Sequence, residues 1–388
     1  MSKKVRVGIV GYGNMGSGHS GYLSKNEVAE AELSAICDID PAKIELAKKN
    51  FGDTISYFDN FEAMIDSGKI DLVIIATPHY FHPPFGLYAL EHGVHVLSEK
   101  PIGVYTKDID KLDKAAAAKG LTYGIMFQQR TINQHIQIKK LIDDGVLGSL
   151  RRMVWIVTNW YRSQSYYDSG GWRATWAGEG GGVLLNQCPH NLDLWQWFFG
   201  MPESIRGFAE FGKYRNIEVE DDVTAYMKYK NGATGVLITT TGETPGTNRL
   251  EVSGDNGKLV FEDGTVTLWE NEISESEFNR TYTGGFGSPK VNKRVLEKVS
   301  GGGAHSQITQ NVVNNILHGE PLIARGGEGI NGLSLSNAIY LSTWTNSEIS
   351  FPINADQFLA ELKIRIASSK AKENFSSGIT SLEGSSNT

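Results

Sequence analysis

Cysteine is nearly absent. Cys37 and Cys188 are the only two in 388 residues, too few for a disulfide framework or a four-ligand zinc site, so no metal is expected. Basic charge is not in excess either: Lys and Arg number 37 against 44 Asp and Glu, a formal net charge of −7. Such a balance offers no basic surface to a nucleic-acid backbone. No run approaches the ~18 apolar residues of a membrane span. Lys3 and Lys4 precede an apolar stretch broken by Arg6 and Gly8, unlike a signal peptide. These lacks point to a cytoplasmic chain with reduced thiols and neither a nucleic-acid nor a membrane partner. Internal repeats are also missing. What the chain does have is 40% hydrophobic residues, ample for a core and unlike disorder. It also has 44 glycines, well above the usual ~7%.

The first third alternates short apolar runs with helical patterns, which predicts a parallel α/β sheet. Val5–Val10, Leu33–Cys37, Leu72–Ala76, His95–Leu97 and Leu121–Met126 read as strands. Asp40 and Pro41 open a helix that Gly52 closes, and Ile109–Lys119 forms another that ends at Gly120. After about Gln128 the pattern changes. Ile132–Asp144 is helical, and strands then dominate, with a hairpin at Asn231-Gly232 and turns at Asn256-Gly257 and Asp263-Gly264. Residues 274–303 read as a long polar loop, and His305–His318 as a helix. The expected architecture is α/β: a doubly wound parallel sheet in residues 1–127, then an α+β domain in 128–365 with an open, mostly antiparallel sheet. A flexible tail is expected over 366–388.

Gly11-Tyr12-Gly13-Asn14-Met15-Gly16 follows the first strand and opens a helix. In a dinucleotide site the first glycine makes a tight turn, the second lets the backbone approach a pyrophosphate, and the third lets helix pack on strand. The helix N-terminus then favours the phosphates. Asp38 ends the next strand 22 residues past Gly16, against about 20 expected for the acid that binds ribose hydroxyls. A 2′-phosphate would meet that negative charge, so NAD is favoured over NADP.

Two segments carry candidate chemistry. Glu99-Lys100-Pro101 follows a strand, at the carboxyl edge where doubly wound sheets bind ligands. Lys100 there would stabilise an alcohol oxygen, although taken alone it reads first as a surface lysine. Gly180-Gly181-Gly182 leads to Asn186, His190 and Asp193. The glycines would let backbone approach a ligand. If the segment is helical, Asn186 and His190 share a face, and Asp193 would hold the His190 ring. His190 suits a general base, yet beside Leu192, Leu194 and Trp195 it also reads as a packed core residue.

Together the glycine loop, Thr77-Pro78 with His82, Glu99-Lys100-Pro101, and Gly180-Gly181-Gly182 leading to His190 and Asp193 resemble the glucose–fructose oxidoreductase/inositol dehydrogenase/MocA family, over roughly residues 5–350. The resemblance implies a Rossmann domain, an open-sheet substrate domain that mediates oligomers, and Lys100 and His190 as the catalytic pair. It also implies that Thr77, Pro78, His82, Glu99 and Lys100 line the cofactor. One departure stands out: many inositol dehydrogenase-like members carry aspartate where this chain has Asn186. An amide still binds a hydroxyl but supplies no negative charge.

Trp160-Tyr161-Arg162 and Tyr166-Tyr167 through Trp172-Arg173 form an aromatic and cationic stretch suited to a sugar ring. Trp172 and Arg173 match pairs near the nicotinamide in sugar-reductase relatives, and Tyr161 is a further substrate expectation. Gln128, ending a strand, is expected at cofactor or sugar. The leading expectation is an NAD-dependent dehydrogenase of a sugar, glycoside (at C3) or cyclitol, a homo-oligomer of two or four chains. Its catalytic residues are Lys100, His190 and Asn186, with Trp172 and Tyr161 beside them at the substrate. Two alternatives stay open: a redox-neutral glycosidase working through transient oxidation, and a non-catalytic NAD-binding sensor.

Overall fold

A computed structural model describes residues 4–370 and 372. Six strands, β1 (Val5–Val10), β2 (Ala31–Cys37), β3 (Ser56–Phe58), β4 (Leu72–Ile75), β5 (His95–Ser98) and β6 (Tyr123–Ile125), form a first sheet. Its order is β3-β2-β1-β4-β5-β6, and every pairing is parallel. The order reverses beside β1, so β1 and β4 leave a crevice at their carboxyl ends. The strands are apolar on both faces because helices cover both: Val7, Ile9, Val73, Ile74 and Leu97 are fully buried. Burying each such side chain contributes about 1.5–3 kcal/mol.

The second sheet has nine strands: β7 (Leu150–Val157), β8 (Ser204–Phe211), β9 (Glu220–Lys228), β10 (Thr234–Thr240), β11 (Asn248–Gly254), β12 (Gly257–Glu262), β13 (Thr265–Asn271), β14 (Val291–Val295) and β15 (Ile349–Ser350). Only β7 and β10 run parallel. Along β9, Val223, Ala225 and Met227 are buried while Thr224, Tyr226 and Lys228 are exposed. The buried face lies under helices Pro189–Phe199 and Gly329–Thr345. The other face is open.

Three expectations are corrected. Residues 274–303 are not one loop: Ser274 caps a helix over Glu275–Thr281, and Val291–Val295 pairs as the edge strand. All five residues of that strand are exposed, so no apolar alternation marks it. Asn186 and His190 do not share a helical face. Helix Pro189–Phe199 begins with Pro189 at its first position, where a missing N–H costs nothing, and Asn186 lies in the turn before it. Finally, helix Ala355–Ser368 takes in residues 366–368 of the expected tail. Residues 371 and 373–388, the rest of that tail beyond 372, lie outside the described residues.

Candidate active site

β1 runs into the glycine loop at Gly11, whose N–H donates to Cys37 O at 2.8 Å. Gly11 has φ +89°, and a Cβ there would lie 2.6 Å from Ala76 O. At Gly16 a Cβ would sit 1.8 Å from Gly11 O, whereas at Gly13 it would meet nothing within 4 Å. The outer glycines are thus needed for packing, and the middle one opens a space for a phosphate. Asn14 and Met15 start helix Asn14–Ser24, whose N-cap Gly13 makes no side-chain bond to the first-turn N–H groups. Asp38, just past β2, accepts from Tyr12 N at 2.6 Å and Asp40 N at 2.9 Å. Thr77 Oγ1, at the end of β4, is buried with no partner.

His82 takes a different role from the one expected. Its Nδ1 and Nε2 each lie 2.7 Å from a carbonyl, Pro101 O and Thr77 O. Both ring nitrogens are engaged inside the protein, so His82 ties the Thr77-Pro78 turn to the segment after Lys100 rather than meeting a ligand.

Glu99 and Lys100 follow β5. The Glu99 carboxylate is buried, with Oε1 2.7 Å from His19 Nε2 and Oε2 3.2 Å from Lys100 N. Burial alone would raise its pKa, but His19, with His305 and Lys100 behind it, holds it at about 2. The peptide bond Lys100-Pro101 is cis. Lys100 Nζ donates to Asn186 O at 2.8 Å. Burial lowers its pKa, the charges of Glu99 and Glu179 oppose that, and Arg162 and Arg173 add to it.

His190 is buried beside them. Burial, then Lys100 and His305, push its pKa well below the ordinary value of 6.5. Gln128 Nε2 lies 3.3 Å from its Nε2. An amide nitrogen only donates, so the ring's lone pair sits on Nε2. Asp193 does not hold this ring. Its two oxygens accept from Arg130 at 2.6 and 2.8 Å, and His190 Nδ1 is buried without a partner. The sequence offered Arg130 no role beyond closing a strand.

The glycine triplet is also read differently in three dimensions. Cβ atoms at Gly180, Gly181 and Gly182 would strike Val104, Tyr340 and Glu220 O at 2.0–2.3 Å; the close approach is to protein, not to ligand. Trp172 lies edge-on to His79 at 5.9 Å, and the Arg173 guanidinium sits 4.8 Å over Trp172 and 4.6 Å over Tyr166. Trp172 therefore stands beside His79, just after the Thr77-Pro78 turn, with Arg173 against it. Tyr161 stands apart. It is exposed, carries Arg215 over its ring at 5.1 Å, and makes no hydrogen bond or ring contact with Lys100, Asn186 or His190. Sequence reasoning missed His19 and Glu179. His19, three residues past Gly16, could have been found by its place on the buried face of the helix; Glu179 carries no such signal.

Residues 5–127 match the model of the oxidoreductase family with an NAD-binding Rossmann fold, and residues 135–260 match the GFO/IDH/MocA C-terminal domain. The chain belongs to the GFO/IDH/MocA oxidoreductase family. Its N-terminal domain is an NAD-binding Rossmann domain. Over 233 residues it is 26% identical to inositol 2-dehydrogenase/D-chiro-inositol 3-dehydrogenase of Lactiplantibacillus plantarum, covering 58% of this chain and 62% of that protein. It is 29% identical over 201 residues to scyllo-inositol 2-dehydrogenase (NADP(+)) of Bacillus subtilis, covering 52% of this chain and 53% of that protein. These matches thus span less than two thirds of each relative's length. A solved WlbA dehydrogenase of Chromobacterium violaceum, in complex with NADH and UDP-GlcNAcA, superposes with TM-score 0.76 at 29% identity, covering 91% of this chain and 98% of that one. The relatives it matches include dehydrogenases of inositols and, among solved structures, of levoglucosan. Among the described residues, no group of three His, Cys, Asp or Glu side chains is arranged to hold a metal ion, and no helix is long and apolar enough to cross a membrane.

Proposed function

We propose that this protein is an NAD-dependent dehydrogenase that oxidises a secondary ring hydroxyl of a sugar, glycoside or cyclitol. The observation that carries the reading is the placement of a half-buried Lys100 and a buried His190 as neighbours at the edge where the glycine loop opens. The residues present fit the cofactor. Gly13 leaves room at a helix N-terminus, Asp38 ends β2, and Thr77 Oγ1 and Gln128 Oε1 are buried without partners. Gly11–Gly16 would hold the pyrophosphate, Asp38 the adenosine ribose, and Thr77, Gln128, Trp172 and Arg173 the nicotinamide end. When bound, NAD accepts the hydride.

The chain's own part is proton handling and placement. Lys100 Nζ, with two of its hydrogens beyond the one on Asn186 O, binds the substrate hydroxyl oxygen and stabilises negative charge developing there. His190, kept neutral by burial, takes the hydroxyl proton on Nε2 in place of its long contact to Gln128. Asn186 does not present a free amide to the substrate, since its side chain already bonds Glu179 and Tyr166. Its contribution is the backbone carbonyl that aims Lys100.

The test is NAD⁺ reduction by the purified protein across free sugars, glycosides, anhydrosugars and inositols, repeated with NADP⁺. Turnover of one ring type with preference for NAD⁺ is the expected outcome. NAD binding with an aglycone released and no NADH formed would instead favour redox-neutral cleavage; binding with no turnover at all would favour a sensor.

A further inference from the structure

We propose that Glu179 is a positioning residue for Lys100: its carboxylate locks Asn186 in place and supplies the negative charge that an amide at position 186 cannot. The inference rests on reading Lys100 as the group that holds the substrate oxygen. Glu179 is the only acidic residue between Asp168 and Asp193, and it is 1% exposed. The glycines on either side of it are required by close packing. At Gly178 a Cβ would lie 2.3 Å from Trp172 O, and Gly180 has φ +81° with its Cβ position 2.3 Å from Val104. Glu179 O is 3.1 Å from His79 Nδ1.

The carboxylate is spent on the site. Oε2 accepts from Ala174 N at 2.6 Å, Oε1 accepts from Asn186 Nδ2, and Arg173 lies 3.9 Å from Oε1. Asn186 Oδ1 accepts from Tyr166 at 3.3 Å, and Asn186 O receives Lys100 Nζ at 2.8 Å. One residue thus joins the carboxylate to the ammonium, by its side chain on one side and its carbonyl on the other.

Charge tells the same story. Lys100 is faced by Glu99 and Glu179, by the cations Arg162 and Arg173, and by the imidazoles of His79, His82, His190 and His305. Burial pushes the Glu179 carboxyl up, and Arg173, the Ala174 N–H, the Asn186 amide and Lys100 pull it back toward the charged form; Lys372, Tyr167 and Tyr340 lie near it. Without Glu179, a half-buried ammonium would face two guanidinium groups with Glu99 as its sole counter-charge. An opposite charge at this range favours the charged form.

The experiment titrates Lys100 directly on the intact protein, by competitive acetylation with acetic anhydride across pH, read by mass spectrometry. In Glu179→Gln the Lys100 midpoint falls by about one pH unit. The alkaline limb of kcat for the ring substrate moves down with it, while KM changes little. In Glu179→Gln/Asn186→Asp, where carboxylate and amide have exchanged places, midpoint and limb return to the parent values. A role in packing alone would leave the Lys100 midpoint of a folded Glu179→Gln where it is in the parent. An unchanged midpoint in Glu179→Gln overturns the proposal, and so does a folded double variant with a depressed midpoint. Should the single variant fail to fold, the double variant decides. Labelling needs no turnover: a shifted midpoint in a protein that oxidises nothing would remove the dehydrogenase reading and leave the Glu179–Lys100 coupling standing.

Discussion

His19 Nε2 lies 2.7 Å from Glu99 Oε1, joining the helix after the glycine loop to the residue beside Lys100. Both side chains are almost fully buried. With Nε2 donating to the carboxylate, Nδ1 accepts from Tyr22 OH at 2.8 Å, and that oxygen lies 2.7 Å from Thr309 Oγ1 on helix His305–His318. Three segments distant in sequence therefore converge on one buried carboxylate. The helix after the glycine loop and the segment carrying Lys100 are fixed relative to each other by this contact.

Removing His19 leaves Glu99 buried with its chief partner gone. His19→Ala is expected to cost about 2 kcal/mol of unfolding free energy, as loss of a hydrogen bond to a buried charged group does. The pH dependence follows from the low Glu99 pKa. A carboxyl held at about 2 when folded and near 4.5 when free adds stability above pH 4.5 that is lost as pH falls toward 2. In His19→Ala the folded pKa moves back toward the free value, so this acid-dependent loss shrinks. Urea unfolding between pH 3 and 7 checks it, and parallel curves for the two proteins would dismiss the pairing as a stabilising contact.

On the proposed reading, Asp38 selects NAD⁺ over NADP⁺. Its oxygens already gather N–H groups of Tyr12 and Asp40, which holds the carboxylate at the end of β2. Asp38→Ala is expected to weaken NAD⁺ by about tenfold, the loss of charge-assisted hydrogen bonds worth 1.5–3 kcal/mol, and to narrow the gap to NADP⁺. Calorimetric titration with both cofactors measures it. Equal losses for the two would mean that Asp38 shapes the turn without choosing the nucleotide.

If Lys100 and His190 act as proposed, they predict a pH profile. His190 must be unprotonated, and burial sets its pKa well below 6.5, so kcat/KM stays level as pH falls through that value. Lys100 must be protonated, and burial sets its pKa below 10.5, so the alkaline limb appears before that pH. Lys100→Met should keep NAD binding yet lose turnover, and His190→Asn should lower kcat by about a hundredfold or more. Full rate in either variant would take that residue out of the mechanism.

Much of this was legible in the chain because the residues concerned obey local rules. β1, the glycine loop and Asp38 sit in contiguous or fixed-interval positions, and the Asp40–Pro41 start of its helix is written in the capping residues themselves. Asp193 was misread because the spacing to His190 reveals a shared helix but not Arg130, 63 positions away. Glu179 and His19 were missed for the same reason. Their partners, Asn186 and Glu99, are brought to them by the fold. β14 escaped notice because a fully exposed edge strand has no buried face to impose an alternation.

Glu220 tests whether burial or hydrogen bonding wins inside this site. It opens β9, is fully buried, and accepts from Gly182 N at 2.9 Å and Leu184 N at 2.8 Å, bracing the turn that delivers Asn186 and His190. Burial pushes its carboxyl up from 4.5 to about 7, against the pull of those two N–H groups and of Tyr340. The folded protein then keeps a proton that the unfolded chain has released, so stability falls as pH rises from 4.5 to 7. Glu220→Gln removes that linkage but also gives up an acceptor. It should be clearly less stable than the parent at pH 5, where Glu220 is protonated. The gap should narrow by pH 8, where the parent carries the buried charge. Urea unfolding of both proteins at the two pH values reads this out. A gap that stays constant would mean that Glu220 ionises in the ordinary range and that its two backbone donors outweigh burial.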